Sequence, residues 1–149
     1  KSNLERMGVS NAVVLNETPA RIAEALPEFF DRVLVDAPCS GEGMFRKEPV
    51  ALQQHCEALV KQCAELGAQI LDCAAAALAP GGQLVYSTCT VLPEENQEII
   101  HVFLSRHPEF RRETFTLPGP VGLCDGEATL WPQRLGTDGF YICRMRRKA

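Results

Sequence analysis

Val33, Leu34 and Val35 form an apolar, mostly β-branched run that is stopped at once by Asp36-Ala37-Pro38-Cys39-Ser40-Gly41. The run reads as a buried strand, and an acid, a proline, a cysteine and a glycine directly behind it end the pattern abruptly. In open parallel sheets the ligand sits beyond the carboxyl ends of the strands, so polar residues just after an apolar strand point into the crevice. An α/β fold is therefore expected, with Asp36 and Cys39 as its first functional candidates.

Other segments fit that fold class. Residues 2–8 read as a helix end, with Gly8 where a left-handed terminating residue is favoured. Residues 11–15 read as a short strand, followed by Asn16-Glu17-Thr18 and by Pro19, which suits the first turn of a helix running to Leu26. The polar residues there suit either a ligand or a plain helix cap. A long helix is expected from about Val50 to Leu78, with Leu52, Cys56, Leu59, Val60, Cys63, Leu66, Ile70, Cys73 and Ala77 on one apolar stripe. On that reading Cys56, Cys63 and Cys73 are small core residues. Ala79-Pro80-Gly81-Gly82 runs from helix into strand, the reverse of a cofactor loop, and reads as a terminating turn.

The next strand, Leu84-Val85-Tyr86, gives way to Ser87-Thr88-Cys89-Thr90, and Leu92-Pro93-Glu94-Glu95-Asn96 opens a further helix. Beyond Pro108, residues 110–117, 129–131 and 139–145 read as terminal strands, at least two of them antiparallel, with a long loop between. Arg144, Arg146, Arg147 and Lys148 read as a solvated tail.

Composition sets bounds. At 149 residues and 46% hydrophobic content the chain is about one soluble globular domain or a fragment of a larger one. It begins with Lys1 and is expected to be a piece of a longer protein. No signal peptide is visible, and no apolar run approaches the roughly 20 residues that span a bilayer. The seven cysteines are odd in number and include no Cys-x-x-Cys pair. A reduced, cytoplasmic protein without disulfides or structural zinc is therefore expected. A net charge of −4 does not advertise a nucleic-acid partner, which would have to be held by local basic patches or by sequence outside this chain.

Strand, helix and strand between Val33 and Ser87 make a parallel βαβ unit with a right-handed crossover. If the two strands are neighbours, about 4.8 Å apart, Cys39 and Cys89 reach one rim despite the fifty residues between them. Spacing alone leaves three readings open: joint catalysis, a disulfide in an extracellular protein, or two inert core cysteines in a cytosolic one.

Asp36-Ala37-Pro38-Cys39-Ser40-Gly41-Glu42-Gly43, Arg46-Lys47-Glu48-Pro49, and Tyr86-Ser87-Thr88-Cys89-Thr90 with Glu94-Glu95-Asn96 resemble the RNA cytosine-5 methyltransferases of the Nop/Sun family, especially its RsmF-like bacterial members. Leu130-Trp131-Pro132 and Gly139-Phe140 resemble that family's closing strands. The resemblance implies a Rossmann-like methyltransferase fold, a mostly parallel sheet with antiparallel terminal strands. It also implies S-adenosylmethionine as cofactor and RNA, in bacteria usually ribosomal RNA, as substrate.

The chemistry suits these residues. Carbon 5 of cytosine is a poor nucleophile until a thiolate adds to carbon 6. After methyl transfer a base must remove the carbon 5 proton so that the enzyme can leave. Local sequence does not divide these tasks between the thiols: a Pro-Cys pair resembles the nucleophile motif of DNA cytosine-5 methyltransferases and nominates Cys39. The RNA family implies instead that Cys89 attacks and Cys39 assists release, with Asp36 holding the cytosine amino edge and helping to orient the methyl donor. On the cofactor side the resemblance places Asp36, Pro38 and Asn16, the last where relatives often carry aspartate. Arg46 and Lys47 are expected to meet RNA phosphate.

A sheet of this class also needs a glycine-rich turn and a second acid to hold the cofactor, and the resemblance places both, with a nearby lysine, before Lys1. Residues 1–149 are thus expected to be the C-terminal portion of a catalytic domain, inactive alone and dependent on the N-terminal part of the same protein. The alternatives are a non-catalytic RNA-binding or assembly module, and an amino-group methyltransferase, which would need no thiol.

Overall fold

A computed structural model describes residues 2–41 and 56–149. Helix α1 (Ser2–Arg6) ends before Gly8, whose φ of 69° is the left-handed value expected of a terminating glycine. Helix α2 (Pro19–Ala25) starts as expected, with Thr18 as its cap and Pro19 in the first turn. Strand β1 (Phe30–Asp36), helix α3 (Glu57–Ala77) and strand β2 (Leu78–Thr88) follow. The two strands pair in parallel, with Val33 beside Leu84, Val35 beside Tyr86 and Asp36 beside Ser87. This is the expected βαβ unit.

Beyond a short 3-10 turn (Pro93–Glu95) and helix α4 (Gln97–Arg106), the chain forms β3 (Phe110–Arg112), β4 (Phe115–Leu117), β5 (Gly122–Cys124), β6 (Glu127–Leu130), helix α5 (Pro132–Leu135) and β7 (Phe140–Arg147). Strand β7 runs antiparallel to β2 on one side, and on the other to β6 and then β3. Strands β4 and β5 form a separate antiparallel pair. The result is a mixed α/β sheet with antiparallel terminal strands, in the order β1-β2-β7-β3.

The core lies between this sheet and α3 and α4. Leu71, Leu84, Tyr86, Ile100, Phe103, Tyr141 and Met145 are fully buried in it. Each such large apolar side chain contributes on the order of 2 kcal/mol of transfer free energy. Ile99, Ile100 and Phe103 give α4 one buried face at helical spacing.

Four expectations are corrected. Residues 11–15 form no strand: Val13 is 85% exposed, and among the described residues no neighbouring strand bonds them. An extended segment without a partner leaves its ladder bonds to water, however β-branched its side chains. On α3 the buried positions are Gly67, Leu71, Ala74, Ala75 and Ala77, so of the expected stripe Ala77 is buried and Ile70 packs partly against the core, whereas Cys56 is exposed, Cys63 and Cys73 are half-buried, Leu66 is 42% exposed, and Leu52 lies outside the described residues. Small residues win that face because they let the helix lie close to the sheet. Ala79-Pro80-Gly81-Gly82 is an excursion within β2, since Leu78 already pairs with Phe30 and Gln83 with Arg32. The basic residues near the end are not a solvated tail. Arg146 donates to Glu113 and to the Gly81 carbonyl, Arg147 to Glu28 and the Leu78 carbonyl, and the Lys148 ammonium to the Pro108 carbonyl. Arg144 and Arg146 lie on β7 itself, where Glu113 neutralises both.

Candidate active site

Strands β1 and β2 end side by side, and each continues into a loop carrying a cysteine. The ladder extends one residue past β1, where the Ala37 amide donates to the Ser87 carbonyl at 2.9 Å. There the Asp36 carboxylate accepts a hydrogen bond from the Ser87 hydroxyl at 3.2 Å, and its remaining surface faces solvent. Asp36 also lines a cavity of about 480 Å³ along the outer side of β1, with Pro19, Ile22, Leu34 and Ile70.

Cys39 and Cys89, fifty residues apart, meet at this rim with Cα atoms 6.3 Å apart. Their sulfurs are joined as a disulfide, whereas the sequence reading expects free thiols. The separation lies within the usual range for a cystine, and two cysteines at the ends of bonded neighbouring strands face each other at short range. The Cys89 amide also donates to Cys39 Sγ at 3.2 Å, a contact that favours negative charge on that sulfur once the pair is reduced.

Both loops are pinned from below. Glu95 is 1% exposed; its Oε1 accepts the Ser40 amide at 2.8 Å and its Oε2 the Ser40 hydroxyl at 2.6 Å. Gly41, in the left-handed region with φ of 75°, turns the chain away directly afterwards. On the second loop, the Thr88 hydroxyl donates to Asn96 Oδ1 at 2.6 Å, while Asn96 Nδ2 donates to the Thr90 carbonyl at 3.0 Å. The Tyr86 hydroxyl donates to the Glu95 carbonyl at 2.8 Å. Burial, together with the neighbouring Glu95 and Cys63 charges, pushes the Tyr86 hydroxyl well above its ordinary range, so it stays a donor.

Of the residues singled out in the sequence, Asp36, Cys39 and Cys89 come together, and Pro38 is exposed on the same loop. Asn16 is exposed in the irregular stretch before α2 and is not part of the rim's hydrogen-bond network. Arg46 and Lys47 lie outside the described residues. In the sequence Glu95 and Asn96 read as a helix start, and their inward bonds to the cysteine loops carry no local signal, since nothing points across the 55 residues from Glu95 to Ser40. Among the described residues, no group of three or more His, Cys, Asp or Glu side chains could hold a metal ion. No helix among them is long and apolar enough to cross a membrane.

A parallel strand-helix-strand unit that closes on antiparallel strands and presents an acid and two cysteines at its carboxyl rim has the Rossmann-like methyltransferase architecture. The model of the family described as 16S rRNA methyltransferase RsmB/F matches residues 1–146, and the chain belongs to that family. The ribosomal RNA small subunit methyltransferase F of Cronobacter sakazakii is 40% identical over 154 residues, covering 99% of this chain and 32% of the relative. That of Pectobacterium carotovorum is 36% identical over 153 residues, with the same coverage of 99% and 32%. The chain thus spans about a third of the length of these curated relatives. Among solved structures, a methyltransferase homolog protein from Pyrococcus horikoshii superposes with a TM-score of 0.78 at 30% identity, covering 98% of this chain and 48% of its own. NSun6 from Pyrococcus horikoshii, solved with SFG, shares the fold with a TM-score of 0.81 at 24% identity, covering 99% of this chain and 38% of its own.

Proposed function

We propose that the protein to which these residues belong methylates carbon 5 of a cytosine in RNA, with small-subunit ribosomal RNA as the expected substrate, by covalent thiol addition. The observation that carries this reading is the meeting of Cys39 and Cys89 from two loops at the ends of bonded parallel strands, beside Asp36. Cys89 adds to carbon 6 as thiolate and raises the electron density at carbon 5. S-adenosylmethionine supplies an electrophilic methyl group when bound. Cys39, whose sulfur receives the Cys89 amide, takes the carbon 5 proton, and the electrons of that bond expel Cys89. Asp36, oriented by Ser87, holds the cytosine amino edge and helps to orient the methyl donor. Both thiols act in the reduced form, since a disulfide has no nucleophilic sulfur to offer.

The described residues fit the cofactor in part. Asp36 is an exposed carboxylate on a cavity wall, with Pro38 beside it, and both would hold the methyl donor together with Asn16. A glycine-rich turn must come from the rest of the protein, whose relatives are about three times as long. Arg46 and Lys47 would meet RNA phosphate.

The test uses the full-length protein and RNA containing 5-fluorocytosine, which blocks proton removal and traps the adduct. A covalent complex is expected from the parent and none from Cys89→Ser; an adduct that survives Cys89→Ser overturns the assignment of attack. Cys39→Ala is expected to accumulate a complex with ordinary cytosine, because addition proceeds and release stalls. Cofactor-independent RNA affinity with no adduct would favour a binding or assembly module instead.

A further inference from the structure

Two adjacent side chains hold the two cysteine loops, and neither does what its place in the chain would lead one to expect. Asn96 is the N-cap residue of α4, where asparagine ordinarily accepts from the helix amides, yet its side chain makes no capping bond. It is fully buried, and both ends of its amide go to Thr88 and Thr90, which flank Cys89. Glu95 could serve the helix dipole from an exposed position. Instead it is buried, pairs with no cation among the described residues, and gives both oxygens to Ser40, which follows Cys39. Burying a carboxylate without a counter-charge is costly, and a helix start alone does not require it. The Tyr86 hydroxyl fixes the Glu95 main chain to the sheet. One rigid dipeptide therefore reaches both loops.

We propose that Glu95 and Asn96 are positioning residues that together set the separation of the Cys39 and Cys89 thiols. Its consequence for turnover rests on the function proposed above; the spacing itself does not.

The spacing is measured without catalysis. In glutathione redox buffers, the reduced pair reacts with glutathione disulfide to give the Cys39–Cys89 disulfide and two reduced glutathiones. The equilibrium constant is the effective concentration of one thiol at the other, and it is read on the full-length protein by mass spectrometry of the joined peptides. Ser40→Ala and Asn96→Ala are expected to lower it by about ten-fold or more, since sub-ångström loosening has effects of that order. Glu95→Gln, which keeps the shape and lets the serine hydroxyl reverse its role, is expected to stay within about three-fold of the parent by the same reasoning. An unchanged constant in folded Ser40→Ala and Asn96→Ala overturns the proposal, and so does a Glu95→Gln loss as large as theirs. In methyl-transfer assays the two alanine variants are expected to lose kcat with unchanged KM for RNA. A lowered constant with full kcat would support the positioning and count against a shared catalytic role of the thiols.

Discussion

Cys143 and Cys56 carry the same free thiol in opposite settings. Cys143 is fully buried on β7; burial first, and then the Glu127 carboxylate, push its thiol up to about 12. At pH 8 only about one such group in ten thousand is thiolate, so it is inert as well as inaccessible. Alkylation of the reduced, folded protein at pH 8 should therefore label the exposed Cys56 quickly and leave Cys143 unmodified; modification of Cys143 before unfolding would contradict its burial. Asp36, Cys39 and Cys89 were legible in the sequence because each follows an apolar run that marks a strand end. Glu95 and Asn96 were legible as residues but not in their roles. The acid of a first turn reads as a dipole partner, and its true partner, Ser40, is close only after the sheet has formed. Which thiol attacks in the proposed mechanism is not written in the local sequence at all, because both occupy the same kind of strand end.

At the scale of elements, α3 shows what periodicity does and does not deliver. The apolar spacing correctly gave a long helix, but alanine and glycine score weakly as hydrophobic, so the pattern pointed to the cysteine stripe beside the true contact face. That face is tight: a Cβ added at Gly67 would sit 3.0 Å from the Tyr86 hydroxyl, itself held by the Glu95 carbonyl. Gly67→Ala should cost about 1–3 kcal/mol, read as a fall in denaturant midpoint, because Tyr86 cannot swing aside without losing that bond. Leu71→Ala, at a fully buried position, should cost about 2–5 kcal/mol.

The β3–β7 edge carries a pH dependence. Burial alone would raise the Glu113 carboxyl, but the bonds from Gln83 and Arg146 and the charges of Arg146 and Arg144 outweigh it and hold the group below its usual range. A carboxyl lowered in the folded state stabilises fully above its unfolded value, about 4.3, and the benefit is lost as pH falls through the folded value. Glu113→Gln should therefore flatten the acid limb of the stability curve below about pH 4.3 and change little between pH 6 and 8. An unaltered acid limb would mean that these bonds are not the source.

At the scale of the whole molecule, the apolar material is unevenly covered. Strand β1 ends the sheet among the described residues, Leu34 is 68% exposed upon it, and Phe29 just before it is 63% exposed. The apolar run of β1 was legible as a strand, but its expected burial is corrected, since only Val35 of Val33–Val35 is buried and, among the described residues, none pairs with the outer edge of β1. The isolated 149 residues are expected to bind a polarity-sensitive dye more strongly per molecule than the full-length protein, and to transfer no methyl group to RNA. Measurable transfer by the isolated chain would refute that expectation. Strand β7, by contrast, sits inside the sheet, bonded to β2, β3 and β6. In synthesis from the N-terminus, β1 and β2 are complete about fifty residues before β7 begins. Until β7 is made, the flank of β2 that it covers is an open strand edge beside the second cysteine loop, the kind of edge that pairs with other chains unless it is shielded.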